Sequence, residues 1–285
     1  MKIRFTFMLP LLGMLFFSSC KREFLESIQS AEDNAQIETE FSQVFEAVAD
    51  FAANDGRVNK TDDFLLPSGA TVVFTDSLFN DGDGIDFDIN YGPLNSGGST
   101  KGRLCKDGRY RAGIVHVGMT SRWSEIPCIV TIAISSSDQY YAGNGTKMYQ
   151  LTGTKTVTKT SVNSYNVEVL NATMQRDNGI VSWNAERTIT KTNDPGAGWE
   201  NDEYTIEGSA DGINANGDAF TAEIVSPLVK EMSLGCMSTF IQGEIAVTNS
   251  NEKVLSIDYD SFGDAACDKT ATIYYNNRSR NITLW

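Results

Sequence analysis

Leu151–Thr160 reads LTGTKTVTKT, with Thr152, Thr154, Thr156, Thr158 and Thr160 at alternate positions. A period of two puts all five hydroxyls on one side of an extended chain. β-Branched residues pack well on such a pleated surface. The stretch is predicted to be a strand with the threonine row as its wet face, although such a row can also bind ice or carbohydrate.

The same period runs outward in both directions, from about Thr71 to Trp285. Tyr165, Val167 and Val169 alternate with Asn166 and Glu168; Tyr204 and Ile206 alternate with Thr205 and Glu207. Further on, Ile241, Gly243, Ile245 and Val247 alternate with Gln242, Glu244 and Thr248. Asp177-Asn178-Gly179, Asn216-Gly217 and Asn276-Asn277 are hairpin signals between such runs. The pattern predicts about 13 strands, most of roughly 6–12 residues. One polar face per strand implies antiparallel pairing, since parallel strands are buried on both sides. The predicted class is mostly β: a large antiparallel meander sheet that curls, forms a half-barrel or splits into a sandwich.

Ahead of the sheet the period is 3.6. Ile37, Phe41, Val44, Phe45, Val48 and Phe51 form one stripe of an amphipathic helix predicted over 30–55. Ser30 is its expected cap, with Asp33 three residues on. Asp55-Gly56 is the expected stop. Glu38, Glu40, Glu46 and Asp50 make the opposite face acidic, whereas membrane-surface helices carry Lys and Arg there. The helix is therefore expected to pack as a lid on the chain's own sheet.

The amino end has a basic head (Lys2, Arg4), an apolar run (Phe5 to Phe17) and then Ser18-Ser19-Cys20. The run is shorter than the ~20 residues needed to span a bilayer and has the layout of a secretory signal. Phe17-Ser18-Ser19-Cys20 resembles the lipobox of bacterial lipoproteins. That resemblance implies a signal peptide at 1–19, lipidation at Cys20 and a tether over 20–29 leading into a single β-rich domain at 30–285. The expected location is the cell envelope, with a lipid anchor in the outer membrane. Loss of Lys2 and Arg4 would make the chain more negative than its formal −14. Such acidity repels phosphate backbones and argues against nucleic-acid partners.

Cys105, Cys128, Cys236 and Cys267 then remain, an even number suited to an oxidising compartment. Sequence proximity favours Cys105–Cys128 and Cys236–Cys267. A faint echo between the corners around Cys105 and Cys267 would instead pair those two, and four buried thiols are the plain alternative.

Candidate chemistry is sparse. Asn80-Asp81-Gly82-Asp83-Gly84 with Asp86 could be a calcium loop, oxygen-rich and glycine-broken, though it lacks the EF-hand register. Asp86 also fits the wet face of a following strand. His116 is the single histidine, which excludes two- and three-His metal sites, and no GxSxG elbow accompanies it. Asp194 to Asp202, with Trp199, Glu200 and Asp202, is a long acidic, glycine-rich turn. An indole beside acids and amides there suits stacking on a pyranose. The plainer alternative is a tryptophan folded back on the sheet.

Together, the lipobox, SAEDNAQIETEF, CKDGRYRAG, the Pro227-Leu228-Val229 run and IDYDSFGDAACDKTATIYYNN resemble a group of Gram-negative outer-membrane lipoproteins with no assigned activity. The expected function is a non-enzymatic, lipid-anchored binding module for a protein or glycan. Alternatives are a carrier holding a lipid or other amphiphile in a curled sheet, and a glycan hydrolase.

Overall fold

The computed structural model describes residues 13–53, 66–95, 101–105, 107–194, 201–233 and 235–284; in the first range, side chains are described for 24–44 and 48. One helix, α1 (Gly13–Ala53), precedes the sheet. The first strands are β1 Thr71–Asp76, β2 Ile85–Gly92, β3 Arg103–Leu104, β4 Tyr110–Met119, β5 Cys128–Ile134, β6 Tyr141–Gly143 and β7 Met148–Lys159. Then follow β8 Ser164–Arg176, β9 Gly179–Asn193, β10 Glu203–Ile213, β11 Ala219–Glu231, β12 Gln242–Asn249, β13 Val254–Asp258, β14 Thr270–Tyr275 and β15 Arg278–Thr283.

The strands form one antiparallel sheet, as the alternation implies. Its order is β1-β2-β4-β5-β7 and then β8 through β15 in sequence, with β1 and β15 as the edges. The two strands beyond the expected number are the short β3 and β6, which pair with the front of β4. At Gly113 β4 changes partners, from β3 and β6 to β2 and β5. Gly113 has φ 87°, and a Cβ there would lie 2.2 Å from the Gln139 carbonyl oxygen. Only glycine permits both the left-handed backbone and the close approach.

The threonine row lies where the period put it. Thr152, Thr154, Thr156 and Thr158 are half-exposed, and Thr152 shares a 2.6 Å hydroxyl contact with Thr173 of β8. The opposite face of β7 carries Leu151, Lys155, Val157 and Lys159, all buried.

Those inward lysines reflect what α1 does, which differs from the expected lid. The sheet curls around the helix, and from Ser27 to Val44 the side chains of α1 are buried or half-buried on every side. Ile28, Ile37, Phe41, Val44 and Val48 pack in the core, while Asp33, Asn34, Glu38 and Glu40 are equally buried. Of the expected acidic outer face, Glu38 and Glu40 thus point into protein, while Glu46 and Asp50 lie outside the residues whose side chains are described. An unpaired buried charge is costly, and an arginine from the surrounding sheet or its connections compensates each acid. Arg187 of β9 takes Glu38, Arg109 takes Glu40, and Arg176 of β8 meets Asp33 at 2.5 Å. Trp183 Nε1 donates to Asn34 at 3.1 Å.

Ser30 is not a cap. The helix runs through it, and its hydroxyl accepts from Asn214 Nδ2 at 2.9 Å. The packed part of the chain likewise reaches back past the expected boundary at 30, since Ile28 is fully buried.

The expected Cys236–Cys267 pair is a disulfide, with Cα atoms 4.9 Å apart. Cys105 and Cys128 are instead separate buried thiols, bonded to the carbonyls of Arg103 and Ser121. Cys105 follows β3 beside the start of β4, and Cys128 opens β5 beyond the other end of β4. At ~3.3 Å per residue the ten-residue β4 holds them far outside the ~7 Å Cα limit for a bridge. The Cys105–Cys267 pairing suggested by the echo is excluded as well. Burial pushes both free thiols above their usual pKa, away from the reactive thiolate form.

Candidate functional site

The path of α1 distinguishes the two ends of the curled sheet. Ser27 contacts Lys253 in the β12–β13 turn, and Asp33 accepts from Ala215 N in the β10–β11 turn. This is the entry end. Further along, the Phe41 carbonyl accepts from Lys155 Nζ at 2.6 Å, and Gln43 Nε2 donates to the Ser238 carbonyl in the β11–β12 connection. This is the loop end. From β8 to β15 the entry-end links are short: 177–178, 214–218, 250–253 and 276–277. The loop-end links at 194–202, 232–241 and 259–269 are long. Loops held on a rigid scaffold are where binding residues concentrate.

At the loop end Trp123 stacks on Tyr165, centroids 5.6 Å apart and 7° from parallel. Tyr165 in turn meets Tyr204 at 6.5 Å, tilted. All three are half-buried. Lys159 Nζ donates to the Trp123 carbonyl and lies 5.2 Å above its ring. Beside the aromatics, Lys191 bridges Asp202 at 2.7 Å and Asp194 at 3.2 Å, and the Tyr204 hydroxyl donates to Asp202 at 3.2 Å. Burial pushes the Tyr204 phenol well up, with Tyr165 and Asp202 adding to the effect. Burial works to lower the Lys191 pKa, but the bonds to Asp202 and Asp194 prevail and raise it. Asp202 is buried with Oδ1 lacking a hydrogen-bond partner.

Of the predicted sugar-contact residues, Asp194 is exposed and Asp202 buried, and Lys191 brings them together. Trp199 and Glu200 lie outside the described residues. Sequence reading missed Trp123, Tyr165 and Tyr204. Two of them appeared only as strand-pattern residues, and their spacing along the chain conceals that they meet.

The calcium loop is assembled differently from the expectation. Asp81 and Asp83 group with Asp76, their ligand oxygens within 4.8 Å of one another, and Asp86 is not in the group. Asp86 pairs in register with Gly118 of β4 and lies over it. A hydrogen bond donated to the Asp81 carboxylate, together with the charge of Asp81, raises the Asp83 pKa. This trio is exposed or half-exposed.

His116 is held by two carboxylates, Nδ1 to Asp88 at 2.6 Å and Nε2 to Asp138 at 3.1 Å. With both nitrogens engaged it offers none to a nucleophile, so its geometry is that of a clasp between β4, β2 and the short 3-10 turn Ser136–Asp138. Burial opposes the charge, yet the bonds to Asp138 and Asp88 raise the pKa. A raised folded pKa adds stability that is complete below the unfolded value near 6.5 and fades as pH climbs through the folded value. The His116→Gln variant is expected to lose that component. Thermal melts at pH 5.5 and 8 check it: equal pH dependence in wild type and variant would refute the clasp.

The outer wall of the sheet also carries a groove of about 790 Å³ across β8–β12, lined by Glu168, Glu186, Ser209, Asp211 and Glu223. Glu168 and Glu186 face each other in register, a like-charge pairing that costs stability.

No helix among the described residues is long and apolar enough to cross a membrane. No family model, curated protein or solved structure matches the chain.

Proposed function

We propose that this protein is a lipid-anchored, non-catalytic binding module of the bacterial cell envelope, held at the outer membrane through Cys20, and that its loop end recognises a glycan. The observation that carries the reading is the half-buried Trp123–Tyr165–Tyr204 row flanked by the Asp194–Lys191–Asp202 bridge. Aromatic surface beside charged hydrogen-bonding groups suits the mixed apolar and hydroxyl faces of a sugar.

The alternative of an amphiphile carrier requires room inside the curled sheet. α1 takes that place, tied in by buried ion pairs, and would have to leave first. A hydrolase would rest on a carboxylate pair, and Glu168 and Glu186 oppose each other in register on β8 and β9. Both are exposed, whereas the acid of such a pair needs a drier setting. A protein ligand remains an outcome of the test below.

The test is a glycan array probed with the full chain, alongside Trp123→Ala and Tyr204→Phe. Trp123→Ala is expected to weaken the strongest hit about tenfold or more, ~1.4 kcal/mol, with a wild-type circular dichroism spectrum. Undiminished binding by both variants discards this site. An array without hits, combined with specific capture of an envelope protein, replaces the glycan with a protein ligand.

A further inference from the structure

We propose that the entry end of the curled sheet is the face this protein lays on a lipid bilayer, so that the loop end points away from the membrane. The proposal rests on the lipid-anchor reading of Cys20 and gives the anchor a geometry.

Four residue steps separate Cys20 from Phe24, the first residue whose side chain is described. Phe24 packs against the core, with Arg278 of β15 5.7 Å above its ring. Fully extended, four residues span at most about 14 Å. From Ser27 to Val44, the stretch that the sheet encloses, α1 runs about 26 Å at 1.5 Å per residue. A lipid on Cys20 can therefore reach a bilayer past the entry end, and the loop end stays beyond its reach.

The surface at the entry end suits the contact. Leu25 is exposed on the first described turn of α1. Ile180, Ile213 and Val254 are exposed where β9 begins, β10 ends and β13 begins, three positions at the same end of the sheet. The Asn178 side chain donates to Asn216 at 3.1 Å, linking two neighbouring turns. Arg278, Lys253 and the Arg280–Glu32 ion pair share this end with Glu26, Asp177, Asp218 and Glu252, so the end carries both signs. Anionic headgroups are recruited by basic clusters. A mixed rim with exposed aliphatic residues fits a zwitterionic surface, such as one rich in phosphatidylethanolamine, held close by the tether. Leu78, Val162 and Phe262 are also exposed, but at the loop end. The same geometry leaves those three for a ligand instead of lipid.

The experiment uses the full lipidated chain, purified from membranes and reconstituted into phosphatidylethanolamine-rich vesicles with brominated acyl chains. Tryptophan is placed at the entry end (Ile180→Trp, Val254→Trp) and at the loop end (Val162→Trp, Phe262→Trp), and emission is compared with the parent protein. Bromine quenches only nearby indoles. The expected result is a loss of the added emission for both entry-end variants and none for the loop-end pair. Equal loss at the two ends, or loss at the loop end alone, overturns the orientation. Flotation of the same vesicles tests the anchor separately. A chain left at the bottom of the gradient overturns the anchor and the proposal with it, whereas a floating chain with the wrong quenching pattern overturns only the orientation.

Discussion

Arg187→Met is expected to destabilise the protein by about 3–5 kcal/mol, the usual cost of stranding one member of a buried ion pair. Arg187 donates from Nε to Glu38 Oε1 at 3.1 Å and from its second terminal nitrogen to Glu38 Oε2. It also donates to the carbonyls of Glu186 and Ser209 and lies 5.7 Å over the Trp183 ring. Trp183 in turn meets Phe41, so one side chain ties β9 and β10 to the middle of α1. Methionine keeps most of the volume and removes every donor, leaving Glu38 buried without its arginine partner. Chemical denaturation reads the loss. The double variant Glu38→Gln/Arg187→Met is expected to recover much of it, because the stranded charge is gone. A single-variant cost below about 1 kcal/mol would mean that water reaches Glu38 and that α1 is not enclosed.

Lys155→Met together with Lys230→Met is expected to stabilise the protein at neutral pH by about 1–4 kcal/mol, as replacement of costly buried charges by apolar groups does elsewhere. Burial lowers both ammonium groups to about 7, against the opposing pull of Glu38. The unfolded lysines titrate near 10.4. Between pH 7 and 10 the unfolded chain therefore binds more protons, and stability climbs with pH. Below pH 7 both states are protonated, and this contribution is flat. The double variant should lose the climb. Denaturation midpoints at pH 6.5, 7.5, 8.5 and 9.5 test it; parallel curves for wild type and variant would show that the lysines are solvated. Lys155 donates to the Phe41 carbonyl and Lys230 to the Ser42 hydroxyl, so part of the gain is offset by those lost bonds. Buried tyrosines such as Tyr140, held up to about 12, and the buried thiols act in the opposite sense at higher pH. The difference between the two proteins, rather than either curve alone, isolates the lysines.

The contrast between β7 and α1 shows what a pattern can and cannot disclose. On β7 the alternation of threonine predicts the strand, its wet face and its antiparallel neighbours, because side-chain direction in a strand follows from backbone geometry alone. The helix of α1 is equally predictable. Its environment is not, because Glu38 and Glu40 read as solvent-facing until Arg187 and Arg109 arrive from 149 and 69 residues away. The disulfides divide the same way. Cys236 and Cys267 flank hairpin strands that bring them together, while ten residues of β4 keep Cys105 and Cys128 apart. In the candidate site, Asp194 and Asp202 are close in sequence and their loop is recognisable. Trp123, Tyr165 and Tyr204 converge only through pairing that runs from β5 across β7, β8 and β9 to β10.

By itself the sequence determined the local periods, the turns between strands, the antiparallel class and the lipobox-like start, all set by interactions among near neighbours. Only the tertiary structure decided that the sheet curls around its helix instead of lying beneath it. Burying a carboxylate or an ammonium group is affordable when a partner from a distant strand meets it, and no local pattern records that meeting.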